Sequence, residues 1–107
     1  MITFDPAKDN QLQIDIDRPG ARIKRRLLRL VEEHVKIESV RYSRSKSGNT
    51  HCRITLREPL SDTERILLQL ALGSDPVREL LSWGRVRNGC PYPTLFFEKA
   101  NENLMRG

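Results

Sequence analysis

An α+β fold of split β-α-β type is predicted by three features of this 107-residue chain. Leu12-Gln13-Ile14-Asp15-Ile16-Asp17 and His51-Cys52-Arg53-Ile54-Thr55-Leu56 alternate apolar and polar residues, the period of a half-buried strand. Apolar residues at helical spacing fill the stretches 21–36 and 62–72. Pro19-Gly20, Ser47-Gly48-Asn49 and Gly73-Ser74-Asp75-Pro76 punctuate the boundaries. The length sets a single domain with a core over about 11–99.

Residues 1–10, with Pro6 and Asp9-Asn10, read as an irregular lead-in. A first strand covers 11–17 and ends at Pro19-Gly20. A helix follows over 21–36, with Ile23, Leu27, Leu30, Val31 and His34 on its apolar stripe; His34 reads as a structural core histidine. Arg22, Lys24, Arg25, Arg26 and Arg29 crowd its first half, which opposes the helix macrodipole. A second strand over 37–43 buries Val40 and Tyr42 and turns Ser39, Arg41 and Ser43 the other way. The turn 45–49 leads to a third strand over 51–57, with Cys52, Ile54 and Leu56 inward. Ser61 and Glu64 form a capping box for a helix that stops at Gly73. Asp75-Pro76 starts a shorter helix whose Leu80, Leu81 and Trp83 close the core. A loop over 84–93 precedes a fourth strand over 94–99, with Leu95 and Phe97 on one face and Phe96 and Glu98 on the other. The expected architecture is RRM-like or ferredoxin-like, also called palm-type: a four-stranded antiparallel sheet covered on one face by helices.

The formal net charge of +5, from 19 basic and 14 acidic side chains, favours an anionic partner such as nucleic acid or nucleotide phosphates. The two cysteines form no Cys-x-x-Cys pair, which argues against a zinc ribbon, and Cys52 falls on the apolar phase of a strand. Without a long apolar run or a secretory leader, the expectation is a reduced, cytoplasmic protein with no membrane partner, in a prokaryotic, viral or mobile-element context.

The uncovered sheet face then carries Asp15 and Asp17 from the first strand, Arg41 and Ser43 from the second, and His51, Arg53 and Thr55 from the third. Two carboxylates side by side repel unless a cation lies between them, and Mg²⁺ or Mn²⁺ bound through two carboxylates and substrate phosphates serves phosphoryl transfer. Asp15 and Asp17 are candidate metal ligands; Arg41, Arg44, Lys46, His51 and Arg53 are candidates for holding phosphates. A base-stacking RNA module needs aromatic rings on the central strands, and those positions hold Gln13, Asp15, Arg53 and Thr55.

Three segments resemble motifs of the archaeo-eukaryotic primase (primase-polymerase) superfamily. Leu12–Asp17 resembles its first motif, an apolar run ending in Asp-x-Asp. Ser47-Gly48-Asn49-Thr50-His51-Cys52-Arg53-Ile54 resembles its second, and Thr94-Leu95-Phe96-Phe97-Glu98 its third, where the family's usual acid is Asp. The resemblance spans about 12–99 and implies a minimal catalytic core. By it, Asp15, Asp17 and Glu98 bind Mg²⁺ or Mn²⁺ and carry catalysis, and His51 contacts the incoming nucleotide's phosphates. The expected nucleotide-binding set is His51, Arg53 and Ser47, and the nucleic-acid-binding set is Arg41, Lys46 and Arg44; Arg85 and Arg87 are further candidates for a nucleic-acid backbone. Expected partners are single-stranded DNA, a nucleoside triphosphate and a replication partner protein or second copy. Three other readings stay open: a non-catalytic nucleic-acid-binding or replication accessory module, a small metal-dependent nuclease, and a purely structural or regulatory ferredoxin-like domain.

Overall fold

The computed structural model describes residues 2–99, with side chains over 4–96. Its elements are β1 (Ile2–Pro6), β2 (Gln11–Ile16), α1 (Arg25–Glu32), β3 (Ile37–Arg44), β4 (Thr50–Leu56), α2 (Asp62–Ala71), α3 (Pro76–Arg87) and β5 (Leu95–Lys99). The α+β class holds. The single four-stranded sheet does not: β2, β4 and β3 form a three-stranded antiparallel sheet with β4 in the middle, while β1 and β5 form a separate antiparallel pair.

Alternation sets the core. Leu12, Ile14 and Ile16 of β2 and Cys52, Ile54 and Leu56 of β4 share one face, where Ile23, Val31 and Leu72 join them, with Leu27, Leu28 and Leu68 packed around. Burial of such side chains stabilises by roughly 1.5–3 kcal/mol each. Register is direct: Leu12 opposes Ile54, Ile14 opposes Cys52, and Asp15 opposes His51. Helix α1 is shorter than its periodicity suggests: Lys24 at its N-cap is extended (φ −61°, ψ 129°), and the residues before it are tied to β4 and β3. Ala21 N–H donates to Thr50 Oγ1 and Ile23 N–H to Tyr42 Oη. Its inward face uses Leu28, whereas Leu30 and His34 are exposed, so His34 is no core histidine. The capping box of α2 is formed in full by Ser61 and Glu64, and Gly73 beyond the helix takes φ +103°, a conformation that favours glycine.

The fourth strand departs from expectation for a physical reason. The outer edge of β2, where β5 was expected, is already saturated by α2 and α3. Gln13 N–H donates to Gln69 Oε1 at 2.9 Å and Asp15 N–H to Ser74 Oγ at 3.0 Å. Arg78 Nη1 donates to Gln13 C=O at 2.6 Å and Asp75 N–H to Asp15 C=O at 2.8 Å. Four backbone groups that an edge strand leaves open are thus paired without a neighbouring strand. Buried Glu79 organises the caps: its carboxylate accepts from Gln69 Nε2 (2.8 Å), Ser74 Oγ (2.5 Å) and Arg78 Nη1 (2.5 Å).

Denied that edge, β5 pairs with β1, a strand inside the stretch read as an irregular lead-in, with Phe96 opposite Asp5. The ribbon packs on the face expected to be open. Asp5 binds Arg53 at 2.6 Å, Gln13 Nε2 donates to Asp5 C=O at 2.7 Å, and the Phe96 ring stacks on His51. Gln13 and His51 are therefore buried, and the sheet is covered on both faces rather than one. Helix α3 extends to Arg87 and inverts the expected polarity: Glu79 and Ser82 point inward, while Leu80, Leu81 and Trp83 are exposed rather than closing the core. Among the described residues, no helix is long and apolar enough to cross a membrane.

Removing the organiser of the β2 edge leaves the Gln69 amide and the Ser74 hydroxyl without this acceptor and Arg78 without its counter-charge. Glu79→Ala should lower unfolding free energy by about 3 kcal/mol or more in urea titration, and a loss under about 1 kcal/mol would contradict this account. Burial pushes the Cys52 thiol up to about 12, so a thiol reagent at pH 8 should titrate Cys90 alone in the native protein and both cysteines after denaturation.

Candidate functional site

At the end of β2, Asp15 leaves the covered part of the sheet. Its partner across the antiparallel pair is His51, and Nε2 of the imidazole stands 3.6 Å from Asp15 Oδ1. The two differ in exposure: the Asp15 side chain is 28% exposed and that of His51 only 4%. Phe96 fixes the imidazole, stacking at 3.6 Å between ring centroids with the planes 6° apart. The Arg53 and Arg78 guanidinium groups lie 4.8 Å and 5.0 Å from the centroid of the same Phe96 ring.

Asp15 and His51 open onto a polar cavity of about 200 Å³ that Ser45, Lys46 and Ser47 of the β3–β4 turn, and Arg78 and Arg85 of α3, also line. The turn is internally tied. Ser45 Oγ and Ser47 Oγ are 3.1 Å apart, Asn49 N–H donates to Ser45 Oγ at 2.9 Å, and Gly48 takes φ +93°. Asn49 Nδ2 in turn donates to Asp17 Oδ1 at 2.7 Å, which anchors the second aspartate to the same turn.

Charge is unevenly spread. Arg78 is engaged by Gln13 C=O, Leu95 C=O and the Glu79 carboxylate, so its positive charge is largely offset. Arg85 spends one donor on Pro93 C=O, and exposed Lys46 has no carboxylate partner among the described residues. These two carry the cavity's unneutralised positive charge. The Asp15 carboxyl is held above its ordinary range, first by desolvation; Asp75 and Asp17 add to the rise, while His51 and Arg78 oppose it.

Of the sequence-predicted site residues, Asp15, His51, Ser47 and Lys46 meet at this cavity; Asp17 does not line it and is tied to Asn49 of the turn. Arg53 does not line it; Asp5 and Ser43 hold its guanidinium beneath the ribbon. Arg41 and Arg44 part company. Register places Arg41 opposite Arg53 on the ribbon side, and alternation sends Arg44 to the α1 side. Glu98 belongs to β5, with its side chain outside the described ones. Arg78 was missed because no motif marks it, and Arg85 lies on a helix where a loop was expected. Among the described residues, no group of three or more His, Cys, Asp or Glu is arranged to hold a metal ion. No family model, curated protein or solved structure matches the chain.

The raised Asp15 carboxyl has a signed consequence. Its native state holds the proton more tightly than the unfolded chain, so this group's contribution to stability falls as pH rises from the ordinary value of 3.8 through the raised native one. In chelator-treated buffer, Asp15→Asn should therefore unfold at a higher urea midpoint than the parent at pH 7, with the difference closing toward pH 3. A parent more stable than the variant at pH 7 would refute the assignment.

Proposed function

We propose that this chain is the catalytic core of a metal-dependent nucleotidyltransferase of primase-polymerase type, acting on a nucleic-acid strand in replication or repair. The observation that supports it most is the Asp15–His51 cross-strand pair at the mouth of a cavity shared with Lys46, Arg85 and the serines of the β3–β4 turn. Acid, imidazole and cations from four separate segments converge there, as phosphoryl transfer requires.

Asp15 and Asp17 suit Mg²⁺ or Mn²⁺: both are hard oxygen donors, and such ions take one or two carboxylates and complete their shell with water and phosphate. Glu98 is retained as the third acid by the resemblance of its segment. When bound, the ion neutralises phosphate charge and acidifies the attacking hydroxyl. Lys46 and Arg85 hold the outer phosphates. His51, its ring plane held by the stacked Phe96, presents Nε2 to a phosphate oxygen. Ser45 and Ser47 orient the same group through their hydroxyls. The new bond joins the oxygen of the strand's terminal hydroxyl to the α-phosphorus, its proton passes to water, the α–β phosphoanhydride breaks, and pyrophosphate leaves.

A second reading, a non-catalytic nucleic-acid-binding module, is favoured by the exposed cations Lys24, Arg25 and Arg26 at the start of α1, whose first turn holds no acid. Incorporation assays separate the two. With Mn²⁺, single-stranded DNA and labelled nucleoside triphosphates, the parent chain should extend or initiate strands. Asp15→Ala/Asp17→Ala should fall by about a hundredfold or more, and His51→Ala should raise KM for the nucleotide more than it lowers kcat. A parent as inactive as the double variant, across metals and templates, would refute the catalytic reading.

A further inference from the structure

The β3–β4 turn lines a second polar cavity of about 210 Å³ that shares no residue with the first; Gly20, Arg22, Tyr42, Arg44, Gly48 and Thr50 are among those around it. Its walls are pinned. Thr50 Oγ1 accepts from Ala21 N–H and donates to Arg18 C=O, and Tyr42 Oη accepts from Ile23 N–H. The Arg22 guanidinium lies over the Tyr42 ring at 4.0 Å, which restrains its long side chain before any ligand arrives. Neither Arg22 nor Arg44 has a carboxylate partner among the described residues. The nearby acid, Asp17, is held by Asn49.

Positive charge continues outward from this cavity. Lys24, Arg25 and Arg26 are exposed at the start of α1, whose first turn holds no acid and whose N-cap makes no side-chain hydrogen bond. That arrangement works against the helix dipole and so costs stability. An anionic ligand offsets the cost. The lining offers guanidinium groups, hydroxyls, an amide and open glycine backbone, with no aliphatic recess for a peptide side chain. Planar guanidinium forks match phosphate oxygens two at a time.

We infer that the Arg22–Arg44 cavity grips the phosphodiester backbone of a single nucleic-acid strand, which the β3–β4 turn then passes to the Asp15 cavity. This names the path of the polymeric substrate and, as substrate, rests on the catalytic reading above; strand binding itself does not. Arg44 thereby acts away from Arg41, on the opposite face of β3.

Fluorescence anisotropy of a dye-labelled 20-nucleotide oligothymidine, from 50 to 200 mM salt, tests it. Arg22→Ala/Arg44→Ala should weaken binding about tenfold and flatten the salt slope by about 1.4, the value for two lost phosphate contacts on a single strand. Lys36→Ala/Arg57→Ala removes the same charge elsewhere and should weaken binding less than about twofold. Arg22→Lys/Arg44→Lys, which keeps the charge, should recover most of the slope and only part of the affinity, with circular dichroism confirming the fold of each variant. Equal losses in the two alanine pairs, no loss in either, or competition by polyglutamate as strong as by oligothymidine would overturn the inference. Failed incorporation by the parent, with arginine-dependent strand binding intact, overturns the catalytic reading and supports this one.

Discussion

Everything in this fold follows from how the outer edge of β2 is closed. An open strand edge needs hydrogen-bond partners, and the usual supplier is another strand. Here Gln69, Ser74, Asp75 and Arg78 supply them from the α2–α3 junction, with the buried Glu79 carboxylate holding Gln69, Ser74 and Arg78 in place. A carboxylate in the interior is costly unless every lone-pair direction of consequence meets a donor, and three donors meet this one. The arrangement excludes β5 from the sheet, so β5 pairs with β1 and the ribbon settles on the polar sheet face. The Asp15 cavity is the part of that face which the ribbon leaves open.

Two features of the surface run against local stability, and both lie at the proposed sites. Asp15 is a carboxyl whose ionisation the surroundings disfavour, with Asp17 close enough to add to the cost. The start of α1 concentrates cations where the helix dipole favours anions. Departures of this kind from local optimum are expected where a chain binds something. The tied turn 45–49 contributes to the lining of both cavities, residues 45–47 to one and 48–49 to the other.

Much of the secondary structure was legible from side-chain period and punctuation alone. The strands at 11–16 and 50–56, the capping box at Ser61 and the restart at Asp75-Pro76 fall within a residue or two of expectation, because each depends on neighbours within a few positions. The parity of the polar residues was legible as well: Asp15, His51, Arg53 and Phe96 do share one side of the sheet. Helix α3 departs from expectation: Leu80, Leu81 and Trp83 were expected to close the core, yet the buried positions are Glu79 and Ser82. Period says which residues share a face and nothing about which face turns inward. The same gap hid β1, where Ile2-Thr3-Phe4-Asp5 alternates but Pro6 and the short run suggested a lead-in.

From sequence alone, the types of seven of the eight elements, the core set of Leu12, Ile14, Ile16, Cys52, Ile54 and Leu56, and the placement of Asp15 and His51 on one sheet face were determined, because hydrophobic period and turn chemistry act over short range. Tertiary structure alone decided where β5 pairs, which side of α3 is buried, and which cations reach Asp15. Those outcomes turn on competition for a single strand edge by side chains more than fifty residues away, and no local pattern encodes the winner.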